Sequence, residues 1–197
     1  MDLKLRDVAN VRCGLVLSRK KARESQGVRY PLLNFRALKD FGCIEREELD
    51  FYNAEDSLPS EYLTHIGDIV VRLTAPYTAV LIDEETEGIV ISSNFITIRV
   101  KDDTVLPEYL FWWLSTSRMK RSLYENATSN MLGAVKASEF AERAWKAVPI
   151  EDQRLIADMN MLARREAILL DKLAIEKEKY YAAVIRQYQK ARKRGNI

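Results

Sequence analysis

The charged residues offer the first chemistry to consider, because they come in blocks. Between positions 12 and 29, Arg12, Arg19, Lys20, Lys21, Arg23 and Arg29 face only Glu24. Arg118, Lys120 and Arg121 form a second basic cluster, and acidic blocks lie at positions 45–50 and 83–87. Segregated basic clusters on a folded frame suit a polyanion, since neutralising phosphates releases their counterions. A solvated face with local ion pairing is the plainer reading of the same pattern. The formal net charge of +2, from 31 Lys/Arg and 29 Asp/Glu, does not decide between them.

Catalytic chemistry is poorly supplied. No GxxxxGK[ST] loop is present, and the seven glycines are too scattered for GxGxxG. A metal-dependent nuclease needs an acid two residues before a lysine, and only Asp2-Leu-Lys4 fits, with no acid upstream. The nearest string to an amino-methyltransferase loop, Ala75-Pro-Tyr-Thr78, lacks the amide and one proline. His65, the single histidine, could act as a general base, but no Gly-x-Ser-x-Gly elbow or reactive cysteine stands near it in sequence. Cys13 and Cys43 with one histidine cannot build a structural zinc site or a disulfide framework. The expectation is a non-catalytic chain with no metal and no cofactor.

The elements that would position the basic residues divide near residue 150. At 197 residues, 47% hydrophobic and 30% charged, the chain can bury a sizeable core. Residues 1–150 read as mixed α/β. Short β-branched runs at 68–74, 78–82, 88–91 and 95–100 predict strands. Pro107 opens a helix whose bulky face is Leu110, Phe111, Trp113, Leu114 and Ser117, read as core rather than as a ligand platform. From 151 to 194 there is no Gly and no Pro, with eleven Lys/Arg against seven Asp/Glu. Glu151 and Asp152 suit the positive end of a helix dipole, and Lys190, Arg192, Lys193 and Arg194 its negative end. Such a helix is about 65 Å long at 1.5 Å per residue. Leu155, Met159, Leu162, Leu169 and Leu173 fall on a heptad seam, interrupted by Glu166. The stripe then drifts through Tyr180, Tyr181, Val184, Ile185 and Tyr188, as a 3.6-residue helix drifts against a 3.5 repeat. The fold class expected is α+β, a mixed α/β domain followed by a long coiled-coil helix. Part of that seam then needs another helix, from this chain or from a second copy. The start, Met-Asp-Leu-Lys-Leu-Arg, lacks the apolar core of a signal peptide. The longest uncharged stretch that matters, 109–117, falls short of the roughly 20 residues a membrane span needs. A cytoplasmic, non-membrane protein is expected.

Three segments, in order, carry a family resemblance. They are Leu5-Arg-Asp-Val-Ala-Asn-Val-Arg-Cys-Gly14, of the form LxDVAxxxxG, and Leu63-Thr-His-Ile-Gly-Asp-Ile-Val-Val71, which matches LxxGDIL. The third, Ala147-Val-Pro-Ile-Glu-Asp-Gln-Arg-Leu-Ile-Ala157, matches IPLPPLxEQxxIA. With these the chain resembles the DNA-specificity subunit of Type I restriction-modification systems along nearly its whole length. It departs from the pattern at Ile150 and Asp152 of the junction, and at Thr74-Ala-Pro-Tyr-Thr78, where a Gly-containing loop is usual.

The resemblance implies a target recognition domain at 1–150 and a long conserved-region helix at 151–197. A full-length subunit carries two such units, and this chain has one with no internal repeat. It would therefore be a half-subunit, homodimerising through the helix and docking methyltransferase and restriction subunits there. Double-stranded DNA would be its other partner. Arg and Lys suit guanine and phosphate, and Asn and Gln suit adenine. On that chemistry the candidate DNA contacts are Arg19, Lys20, Lys21 and Arg23 on an early loop and Arg72, Thr74 and Tyr77 on a middle loop. Arg118, Lys120 and Arg121 join them at a helix end. Ser129, Asn130 and Lys136 join from a loop whose family counterpart lies near DNA. The competing readings are a coiled-coil assembly or adaptor protein whose globular part binds protein, and an enzyme using His65.

Overall fold

A computed structural model of the chain describes residues 3–22, 27–127, 134–146 and 148–194. In order these form β1 (Leu3–Lys4), α1 (Leu5–Val8), β2 (Ala9–Cys13), β3 (Val28–Leu32), β4 (Asp50–Ala54), β5 (Ile69–Arg72), β6 (Ala79–Leu81) and β7 (Phe95–Val100). They continue with α2 (Pro107–Ser115), α3 (Ser117–Ala127), α4 (Ala137–Ala141), β8 (Ala144–Trp145) and α5 (Ile150–Arg194). The fold is mixed α/β with a long C-terminal helix, as the sequence leads one to expect.

One antiparallel sheet has the order β2-β7-β5-β6, and β3–β4 and β1–β8 are separate antiparallel pairs. Alternation along the strands splits the sheet's side chains between two cores. Ala9, Ile69, Val71, Ile96 and Ile98 face the main core with Leu110, Phe111, Leu114, Leu123 and Phe140 from the helices. Val70, Val80 and Phe95 face a second cluster with Leu33, Ala37, Leu38 and Ile89. Three of the four predicted strands are present: β7 matches its run, while β5 and β6 are shorter than theirs. The fourth is not a ladder: Ile89, Val90 and Ile91 are buried, and Val90 makes isolated bridges to Leu32 and Leu63. A short apolar run reports burial, and a buried connection satisfies it as well as a strand does. Ser117 belongs not to the helix opened by Pro107 but to the next one. Between them, the Thr116 hydroxyl donates to Trp113 O (2.8 Å) and accepts from Met119 N (3.3 Å), capping α3.

The three motif segments turn out to be framework. A Cβ on Gly14 would stand 2.3 Å from Ser92 O and 2.4 Å from Ile91 O, so only glycine allows that backbone approach. Gly67 has φ +83°, and Asp68 after it is 1% exposed. The Asp68 carboxylate accepts Arg99 Nε and Nη2, both at 2.7 Å, and His65 N at 2.9 Å. Burial of a carboxylate demands such partners. Gln153, also 1% exposed, accepts from Leu106 N (2.9 Å) and donates to Thr104 O (2.8 Å) and Val148 O (2.9 Å).

The chain divides into two compact units, residues 1–160 and 161–197. The first eleven residues of α5 thus belong to the unit holding the sheets, where Gln153 and Ala157 are buried. Leu155 and Met159 in that unit are exposed. In the second unit Leu162, Leu169, Leu173, Tyr180, Tyr181, Val184, Ile185 and Tyr188 are all exposed, Leu162 by 68%. Among the described residues no helix is long and apolar enough to cross a membrane.

Candidate nucleic-acid interface

The early basic residues are built onto the β3–β4 pair. Lys21 bridges Ala54, Ala22 N donates to Asn53 O (3.0 Å), and Glu55 N donates to Lys20 O (3.0 Å). Arg19 ends a 3-10 turn (Leu17–Arg19) held by the Tyr52 hydroxyl, which donates to Leu17 O at 2.8 Å. Arg19 and Lys21 are exposed and Lys20 is half-buried. In the pair itself Tyr30 opposes Tyr52, and both pack on a third core cluster. Their neighbours Arg29, Pro31, Phe51 and Asn53 therefore lie on the other face. Phe51 is 62% exposed, with the Arg29 guanidinium 3.7 Å from its ring centroid.

A second group forms around the middle loop. Arg72 is half-buried, its Nε donates to Thr74 Oγ1 (2.8 Å), and its guanidinium lies 4.0 Å over the Phe35 ring. Thr74 bridges Ala134 and Val135 N donates to Leu73 O (2.9 Å), which brings the stretch leading to exposed Lys136 alongside. Tyr77 corrects the sequence reading. It is 2% exposed within the main core, and burial, with Tyr124 and Glu139 nearby, pushes its phenol pKa up. A side chain so enclosed packs the fold and does not meet DNA. On α3, Arg118 and Arg121 are exposed one turn apart, Lys120 is half-buried, and exposed Tyr124 follows Arg121 by a turn. Arg23, Ser129 and Asn130 lie outside the described residues.

Several other basic residues of the first unit are held in ion pairs. Lys4 and Arg6 pair with Glu142, Arg12 with Glu61, Arg36 with Asp50, and Lys39 with Glu45 and Glu48. The hydrogen bonds that Lys39 donates to Glu48 and then to Glu45 push its pKa up. Among the described residues, Arg19, Lys20, Lys21, Arg29, Arg72, Arg118, Arg121 and Lys136 enter no ion pair with a carboxylate. Sequence reasoning passed over Phe35, Phe51 and Asn53. The adjacent aromatics Phe51-Tyr52 in an alternating strand were a usable signal, since one of the two must face outward.

The residues weighed for catalysis have structural employment. Arg99 Nη2 contacts His65 Nδ1, so the imidazole is part of the Asp68–Arg99 ion pair. Burial pushes the Cys13 thiol pKa up, away from the reactive thiolate. Asn10, Arg12, Ser60, Glu61, Thr97 and Arg99 line a recess of about 190 Å³ in which both arginines are paired to carboxylates. Among the described residues no three His, Cys, Asp or Glu side chains are placed to share a metal ion.

Solved structures resemble this arrangement. The HsdS subunit from Thermoanaerobacter tengcongensis superposes with a TM-score of 0.60 at 15% identity, over 87% of this chain and 39% of that one. A chain from a type I R-M system, solved for its complex assembly and conformational transition, superposes with a TM-score of 0.60 at 18% identity, over 90% and 41%. The S subunit from M. genitalium gives a TM-score of 0.54 at 11% identity, over 87% and 41%. The fold is that of the Type I S subunits. The chain spans about two fifths of the length of these chains. No protein-family model and no curated relative matches its sequence. Among the described residues, the β3–β4 pair, the middle loop and α3 each carry basic side chains that enter no ion pair with a carboxylate.

Proposed function

We propose that this chain is a DNA-recognition half-subunit of a Type I restriction-modification complex. The observation that carries the reading is the S-subunit fold, which covers 87–90% of the chain in three independent superpositions. Residues 1–150 act as the target recognition domain, and residues 151–197 as the segment for dimerisation and subunit docking. Phosphate contacts come from the unpaired cations Arg19, Lys20, Lys21, Arg118, Arg121 and Lys136, which set register on the duplex. The exposed stripe from Leu155 to Tyr188 pairs with the same stripe of a second copy, or with the corresponding helix of a partner. A twofold dimer then reads a split site of two inverted halves, because protein symmetry is mirrored in the site. The chain works in the cytoplasm without a cofactor of its own, and methyl transfer and cleavage belong to the methyltransferase and restriction subunits.

The test is binding to random double-stranded DNA across a salt series, for the chain alone and with a co-encoded methyltransferase. A steep fall of affinity with salt is expected, because each neutralised phosphate contributes about −0.9 to the logarithmic slope. Absence of binding at every salt concentration in both settings would favour the adaptor reading instead.

A further inference from the structure

We infer that the outer face of the β3–β4 pair reads base edges in the major groove, with Asn53 and Phe51 as specificity-determining side chains. The inference rests on the proposed DNA recognition and assigns it to an element that the sequence did not single out.

The first ground is shape. A two-stranded ribbon fits the major groove of B-DNA, about 12 Å wide. Strand alternation sends Arg29, Pro31, Phe51 and Asn53 to one face, while Tyr52 and Ala54 anchor the opposite face in the core. A ribbon fixed along its back is a rigid support for residues that must meet base edges.

The second ground is chemical readiness. Among the described residues the Asn53 side-chain amide makes no hydrogen bond, whereas Asn34 uses both ends of its amide, donating to Glu48 O (2.7 Å) and accepting from Ala37 N (2.8 Å). A free amide offers the paired donor and acceptor that match adenine N7 and N6. Phe51 presents a largely exposed ring of the kind that meets a thymine methyl, and Arg29, stacked on it, holds a planar guanidinium beside it. The middle loop is less ready: Arg72 is tied to Thr74 and Phe35, and Tyr77 is in the core.

The third ground is charge. Lys20 and Lys21 are joined to β4 by backbone bonds, and Arg19 is held through Tyr52, so phosphate-binding cations flank the reading face. Asp50 at one end is neutralised by Arg36 (3.1 Å), and Glu55 and Asp56 follow the other end of β4.

The experiment selects preferred sequences from a pool of random duplexes with the full chain, alone and with its methyltransferase, and repeats the selection with Phe51→Ala and Asn53→Ala. Asn53→Ala is expected to lower the preference at one base pair or two adjacent ones by about 5- to 150-fold, and Phe51→Ala to lower it at a neighbouring pair. Phe51→Leu keeps the apolar contact and is expected to keep the preference. Lys20→Ala with Lys21→Ala should weaken every duplex alike and reduce the salt slope by about 2. If the Ala variants enrich the wild-type sequence with undiminished preference, the assignment to this ribbon is overturned and DNA recognition itself survives. If the wild-type chain enriches no sequence at all, the recognition reading falls, and this inference with it.

Discussion

Gln153 joins three backbone segments through one buried amide: the entry to α2 at Leu106, the turn at Thr104 and the junction at Val148. Gln153→Ala would leave a buried N–H and two carbonyls without that partner, and an unsatisfied buried group costs about 1–3 kcal/mol. A loss of about 3 kcal/mol is expected in urea unfolding, and an unchanged midpoint would show that another group takes over. Glu142 illustrates a surface role with a measurable pH signature. Its carboxylate accepts from Lys4 Nζ (2.5 Å) and from Arg6, and these contacts, Lys4 first, hold its pKa below the usual value. A carboxyl whose folded pKa is depressed adds stability above its unfolded pKa, and that stability is lost as pH falls through the folded value. The thermal midpoint should therefore drop in acid below the ordinary carboxylate range, and Glu142→Gln should flatten that part of the profile. At this scale the sequence was deceptive about purpose. Gly14, Asp68 and Gln153, in the segments that carry the family resemblance, all serve backbone approach or buried hydrogen bonding.

Elements were legible where a periodic pattern ran long. α5 extends over 45 residues without Gly or Pro, and Pro149 sets its start just before Ile150. The break between α2 and α3 carries no such punctuation. It depends on how the Thr116 hydroxyl is used, which propensity does not reveal. The heptad spacing of Leu155, Met159, Leu162, Leu169 and Leu173, all exposed in the single chain, gives α5 its own prediction. Leu162→Asp or Leu169→Asp should convert a dimer into a monomer in sedimentation velocity while helix content is retained. A charge at either position would be buried without a partner in the paired state, and that is strongly unfavourable. An unchanged dimer would remove this stripe from the association.

For the whole molecule, the proposed DNA recognition depends on how cations are distributed and not on their number. A net charge of +2 conceals basic side chains on three surface segments that have no carboxylate to pair with among the described residues. If α3 touches phosphates, Arg118→Ala with Arg121→Ala should lower the logarithmic salt slope of DNA binding by about 2 without altering which sequence is selected. An unchanged slope would place the α3 pair away from the duplex.

Sequence alone determined the mixed α/β class, the position and length of the last helix and its apolar seam. These follow from periodicity and residue type, which are local properties. Only the tertiary structure decided which cations stay unpaired, that Tyr77 is core, and that Phe51 and Asn53 share an outward face with Arg29. Such facts depend on contacts between residues far apart in the chain. Arg72 finds Phe35, and Lys21 finds Ala54, only once the sheets have formed.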